Sequence, residues 1–353
     1  MQRSGRWLLA ALMNVALVAT ACSGSGSNGD PLAEVGVDGQ ISVAFKGAGG
    51  FNLAGTLSVP QSPSGTAPGV LIVPTVGPVD RDGVQNETMP DLLYKELAQK
   101  LNAAGMVTLR YDRRGYGQST LSGKKATYDD IVTDAQDAMK FLMGRKEVGK
   151  SPVAVVGHDV SGPIALHVAA NEPRVKSVVL VSSPGRPLVE PLAESFGTVY
   201  NAGSAAKLRT IVSGLVAGGK LPGVTEIPPE QQPVLGQGEE GLLRGMFSVD
   251  PLTDAAKVKA PVLAVVSSVS TGVKRIDGDL IARAVGPMAE VMEVKSGPTL
   301  RVPLPDRPPV EFQAGNDSSH VFGARVVDPE PRDQASMDKV VQWLATKLAA
   351  VKG

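Results

Sequence analysis

The chain has 353 residues, with 35 basic and 35 acidic side chains, 42% hydrophobic content, 4% aromatic content and one cysteine. That length and apolar content bury a sizeable core in one large domain or two small ones, and they exclude a disordered chain. Zero formal net charge without a basic cluster excludes nucleic acid as a partner, and a single Cys excludes an internal disulfide or a cysteine-based metal site.

Arg3 and Arg6 precede an apolar run from Trp7 to Ala21, followed at once by Cys22. The run is shorter than the roughly 20 residues a membrane-spanning helix needs, so residues 1–21 read as an export signal. The small residues before Cys22 resemble a bacterial lipobox, with Ala19 where Leu or Val is preferred. Residues 22–38, rich in Ser and Gly, read as a flexible tether. The expectation is an exported protein, anchored by a lipid on Cys22 to the outer face of a bacterial cell membrane.

From about Gly39 short apolar runs alternate with helical periods, the pattern of an α/β sheet protein. Ile41–Phe45 and Leu53–Val59 are expected as two antiparallel strands. Val70–Val73, Met106–Tyr111, Val153–Val156, Val178–Ser182 and Val262–Val266 are expected as buried parallel strands, being continuous and Val-rich. Capping boxes at Thr88–Asp91 and Thr127–Asp130 predict helices carrying Leu93, Leu97 and Leu101, and Ile131, Ala135, Met139 and Leu142. Strand signals vanish over residues 184–250, which read as an inserted helical lid between core segments 39–183 and 251–353. Met337 to Ala350 is expected as a closing helix, with Val340, Val341, Leu344 and Leu348 on its apolar face.

Val153 to Leu166 reads as a strand, a sharp Gly turn and a helix start around Gly157-His-Asp-Val-Ser-Gly162. It resembles the nucleophile elbow of the α/β-hydrolases, in which a strained residue projects its side chain beside a helix N-terminus. Val70–Gly83 resembles the oxyanion loop of that superfamily, and Arg110–Ser119 its YDxRGxGxS turn. Asn316–Phe322 looks like its late His loop, after a plausible strand at Val310–Gln313. Order and spacing are most similar to the bacterial serine hydrolases, esterase- or peptidase-like, with a DRDG loop and a GHSxGG elbow. The resemblance implies an α/β-hydrolase fold, with a mostly parallel central sheet flanked by helices.

Three departures bear on chemistry. Asp159 stands at the elbow where the serine branch has Ser, Pro74-Thr75 replaces His-Gly in the oxyanion loop, and Ser267–Thr271 lacks the acid that orients the base. By resemblance, Asp159 is the nucleophile or an electrostatic element, His320 the base, Asp277 a substitute acid, and the Val76 and Val160 N–H groups the oxyanion donors. Ser161 is a minor candidate for a displaced nucleophile. Of the three histidines, His158 and His167 are expected to pack in the fold, and their spacing provides no metal site. No cofactor is implied. The expected partner is a small-molecule substrate or ligand under the lid, and no protein partner is legible. A hydrolase of a small-molecule or ester-type substrate, a binding or scaffold lipoprotein that keeps the fold without the chemistry, and an epoxide or haloalkane hydrolase with an Asp nucleophile all stay open.

Overall fold

The computed structural model describes residues 39–61, 65–77, 79–84, 91–119, 125–236, 239–303 and 331–351. The signal segment, Cys22, the tether, Thr88, the expected strand at Val310–Gln313 and His320 all lie outside the described residues. One eight-stranded sheet organises the rest, in the order β1-β2-β4-β3-β5-β6-β7-β8. Strands β1 (Gln40–Lys46) and β2 (Asn52–Ser58) form an antiparallel hairpin, and β2 joins β4 (Val107–Tyr111) antiparallel. All remaining pairings, through β3 (Gly69–Val73), β5 (Val153–His158), β6 (Val175–Val181), β7 (Val262–Ser267) and β8 (Ala289–Val294), are parallel.

The continuous Val-rich runs are buried along their whole length because helices cover both faces of the sheet. Leu71, Val73, Val153 and Val155 face the side that packs on α2 (Tyr128–Gly144) and α3 (Gly162–Asn171). Val70, Ile72, Ala154 and Val156 face α1 (Leu93–Ala103) and α10 (Gln334–Ala349). Helix α2 starts at the expected box, with Thr127 Oγ1 accepting from the Asp130 N–H and the Asp130 carboxylate accepting from the Thr127 N–H. The start of α1 differs: Leu92 is left-handed at φ 62°, and Asp91 Oδ1 accepts from the Leu93 N–H at 3.1 Å.

Strand β8 has no counterpart among the expected strands. Its Ala-Glu-Val-Met-Glu-Val sequence is half-exposed at the sheet edge, where Glu290 accepts from the Trp343 indole and pairs with Lys347. Charged residues on an edge strand keep it from pairing with other chains, and they also weaken the apolar signal by which a buried strand is read. Between β6 and β7 the described residues form only helices: α4 (Val189–Val199), α5 (Ala202–Val216), α6 (Gln232–Leu235), α7 (Glu240–Ser248) and α8 (Pro251–Ala255). Helix α9 (Arg275–Val285) links β7 to β8.

Two loops interlock over the carboxyl ends of the strands. Asp112, after β4, accepts from the Arg81 N–H at 2.7 Å, from the Arg81 guanidinium and from the Gln118 N–H at 2.8 Å. Arg113 donates to the Gly77 carbonyl at 3.2 Å and stacks on Tyr116. The neighbouring Arg114 pairs with both oxygens of the buried Asp134 on α2, which also accepts from the Ala48 N–H at 2.8 Å. Removing one side of a buried ion pair leaves the other charge uncompensated. Asp134→Ala is therefore expected to cost about 3–5 kcal/mol of unfolding free energy, measured by urea denaturation.

Candidate active site

Strand β5 ends at His158 in extended backbone, and Asp159 then turns left-handed at φ 54°. A non-glycine residue is uncommon there, and the strain is what lifts one side chain over the end of a sheet. Two close approaches fix the turn. A Cβ on Gly157 would meet Ala165 at 2.8 Å and the Gly162 Cα at 2.9 Å, and one on Gly162 would meet the Ser183 side chain at 2.3 Å. Ser161 sits between them, fully buried. Its Oγ accepts from the His158 N–H at 2.9 Å and lies 3.0 Å from the Val73 carbonyl and 2.8 Å from the His158 carbonyl, either of which its proton can serve. The hydroxyl ties the elbow to the end of β3 and is occupied as a structural link.

Asp159 is 9% exposed. It accepts from the Val160 N–H and, at 3.4 Å, from Thr75 Oγ1, and no cation pairs with it among the described residues. Burial therefore dominates and pushes its pKa up to about 7, with the two hydrogen bonds only moderating the rise.

Thr75 is itself fixed, because its N–H donates to the Tyr94 hydroxyl at 3.0 Å, and that hydroxyl lies 2.9 Å from His158 Nδ1. A hydroxyl that accepts from Thr75 has its proton free for Nδ1, which assigns the His158 proton to Nε2. Burial lowers the His158 pKa to about 4 and keeps the ring neutral, with the Pro298 backbone only moderating the fall. The Tyr94–His158 clamp was not legible in the sequence, since the two residues stand far apart in the chain and neither belongs to a recognised triad. The Val76 N–H, next along the loop, donates to no acceptor among the described residues.

Asp277 departs from the expectation of a catalytic acid. Its carboxylate accepts from Arg186 Nε at 3.0 Å and Nη2 at 2.9 Å, from the Gly185 N–H at 3.1 Å and from the Lys274 N–H at 2.9 Å. Four donors occupy the lone pairs that a histidine would need. Arg186 continues to Glu194 on α4, so Asp277 anchors the entry of the helical segment onto the start of α9.

The two ends of the segment that carries His320 are described. Arg301 and Arg332 form an isolated antiparallel bridge, and both guanidinium groups bind Asp91 at the start of α1. His167 pairs with Asp254 at 2.7 Å, well placed to hold α3 against α8. Beside Val160 and Pro163, a small, partly open crevice is lined by Tyr128, Arg186, Leu188, Met246 and Val249.

A carboxylate whose folded pKa lies above its unfolded value contributes stability only when protonated. That contribution is present below the unfolded pKa and is lost as pH rises through about 7. Asp159→Asn is therefore expected to stabilise the protein above pH 7, by roughly 4 kcal/mol at most, with the gain fading as pH falls towards 4. Thermal melts of both proteins from pH 4 to pH 8 measure it.

A family model described as serine aminopeptidase, S33, matches residues 92–217. Esterase EstD of Thermotoga maritima is 28% identical over 212 residues, covering 60% of this chain and 48% of that protein. The monoglyceride lipase of Rattus norvegicus is 30% identical over 92 residues, covering 26% of this chain and 30% of that enzyme. The chain thus spans half or less of the length of these curated relatives. Among solved structures, Est1E from Butyrivibrio proteoclasticus superposes with a TM-score of 0.55 at 13% identity, covering 87% of this chain and 99% of that one. The Pyrococcus furiosus esterase Pf2001 superposes with a TM-score of 0.52 at 16% identity, covering 73% and 82%. The sheet order, the left-handed elbow after β5 and these matches together show that the chain has the α/β-hydrolase fold, a mostly parallel sheet flanked by helices.

Proposed function

We propose that the protein is a hydrolase of small ester-type substrates, with its reaction centre at Asp159. The observation that carries this reading is the left-handed Asp159, whose buried carboxylate stands at the nucleophile position of the fold beside the Val160 N–H. Similarity to esterases and monoglyceride lipases supports the ester class. The Val76 N–H serves as an oxyanion donor and His320 as the acid–base partner that handles the leaving group.

A second reading is favoured by the saturation of Asp277 and Ser161: a binding protein that has kept the fold and lost the chemistry. An activity panel of p-nitrophenyl acetate, ethyl butyrate and monobutyrin with the full chain separates the two. Hydrolysis is expected, lost in Asp159→Asn and reduced about 10²–10⁴-fold in His320→Ala. Absence of turnover, with retained binding of ester analogues by thermal shift, would establish the binding protein instead.

The protein is further proposed to be exported and held at the membrane by a lipid on Cys22. The support is the apolar run, the small residues before Cys22 and the Ser/Gly-rich stretch after it. Among the described residues no helix is long and apolar enough to cross a membrane. Cys22→Ser is expected to release the protein from the membrane fraction or to leave it as unprocessed precursor. Normal processing with unchanged membrane retention would refute lipidation at Cys22.

A further inference from the structure

We infer that Asp159 acts on water as a general base and does not attack the substrate as a nucleophile. The inference rests on the proposed ester hydrolysis and specifies how this site performs it.

The chemistry of the residue comes first. If an Asp159 oxygen attacked the acyl carbon of an alkyl ester, the tetrahedral intermediate would carry two leaving groups, the Asp159 carboxylate and the alkoxide. The carboxylate is by far the weaker base, so the intermediate would collapse back to ester. Forward collapse would have to build a mixed anhydride, a less stable acyl compound than the ester it replaced. Water attack has no such bias, because hydroxide and alkoxide are comparable leaving groups. A carboxylate at an acyl-transfer elbow is thus suited to removing a proton.

The geometry agrees. Asp159 is held from both sides, by the Val160 N–H and by Thr75 Oγ1. Thr75 is in turn locked through its N–H onto the Tyr94 hydroxyl and His158. The Val160 N–H, the other expected oxyanion donor, neighbours the carboxylate and favours its charged form. This leaves the Val76 N–H as the uncommitted donor on the loop. The other side chain of the elbow able to carry an acyl group, Ser161, is fully buried and bonded to the end of β3. No cation stabilises the charged carboxylate among the described residues, and burial sets its proton affinity close to neutral, as a base working at neutral pH requires.

The step balances as follows. One O–H bond of water breaks and its proton passes to Asp159, while the water oxygen forms a bond to the acyl carbon. The carbonyl π electrons move onto the carbonyl oxygen, which accepts from the Val76 N–H. On collapse the acyl C–O bond to the alcohol breaks and the leaving oxygen takes up the proton from Asp159. The products are the carboxylic acid and the alcohol, with Asp159 ionised again.

The test compares an alkyl ester, ethyl butyrate, with an aryl ester, p-nitrophenyl butyrate, using the full chain in H₂O, in D₂O and with added hydroxylamine. General-base attack predicts turnover of both esters, kcat/KM about twofold or more lower in D₂O, and no mass change on the peptide containing Asp159 after hydroxylamine quench. Turnover confined to the aryl ester, or a hydroxamate on Asp159, would show that the carboxylate attacks the acyl carbon; it would overturn the inference while leaving the ester-hydrolase reading intact. Absence of turnover with both esters overturns that reading and the inference with it.

Discussion

A buried carboxylate held in left-handed backbone, with no cation paired to it among the described residues, is the constraint around which the rest of this molecule is arranged. Ionised carboxylates in apolar surroundings normally find a positive partner or take up a proton. Asp159 has only the Val160 N–H and the Thr75 hydroxyl among the described residues, and its proton affinity rises accordingly. Such an arrangement costs stability twice, in backbone strain and in desolvation, and strain of this kind clusters at functional sites.

The surrounding structure keeps this residue from relaxing. Gly157 and Gly162 allow β5, α3 and the start of the next segment to approach too closely for any side chain, which leaves the elbow a single path. Ser161 occupies a position where a serine hydrolase elbow carries glycine, and its hydroxyl fastens the turn to β3. On the facing loop, Tyr94 and the neutral His158 fix Thr75, and Arg113 fixes the Gly77 carbonyl. The carboxylates of the loop ion pairs are buried, Asp112 and Asp134 each being 1% exposed. Buried charges of this sort specify loop geometry more than they add stability.

The helical segment between β6 and β7 is fastened at its entry by the Arg186 guanidinium between Asp277 and Glu194, with Lys274 also on Glu194. Arg186 has its pKa raised, chiefly by the hydrogen bonds it donates to the Asp277 carboxylate, so it stays charged at any accessible pH. Arg186 also lines the crevice beside Val160.

The sequence by itself determined the sheet. Continuous Val-rich runs, one at each turn of an alternating pattern, are strands that must be covered on both faces, and the structure places them within a few residues of expectation. It also determined the elbow, because Gly157 and Gly162 around Asp159 permit a turn that few other residues allow. Edge strand β8 escaped because half-exposed Glu290 and Glu293 break the apolar period that marks a buried strand. What only the tertiary structure decided is which polar groups are occupied. Asp277 is a turn carboxylate in sequence and is an anchor of the helical segment with four donors upon it, while Thr75, noted in sequence only as a departure of the oxyanion loop, and Tyr94, unremarked there, converge on Asp159 and His158. The physical reason is that a hydrogen bond depends on a few tenths of an ångström between residues remote in the chain, whereas strand and turn patterns depend on neighbours and are written along it.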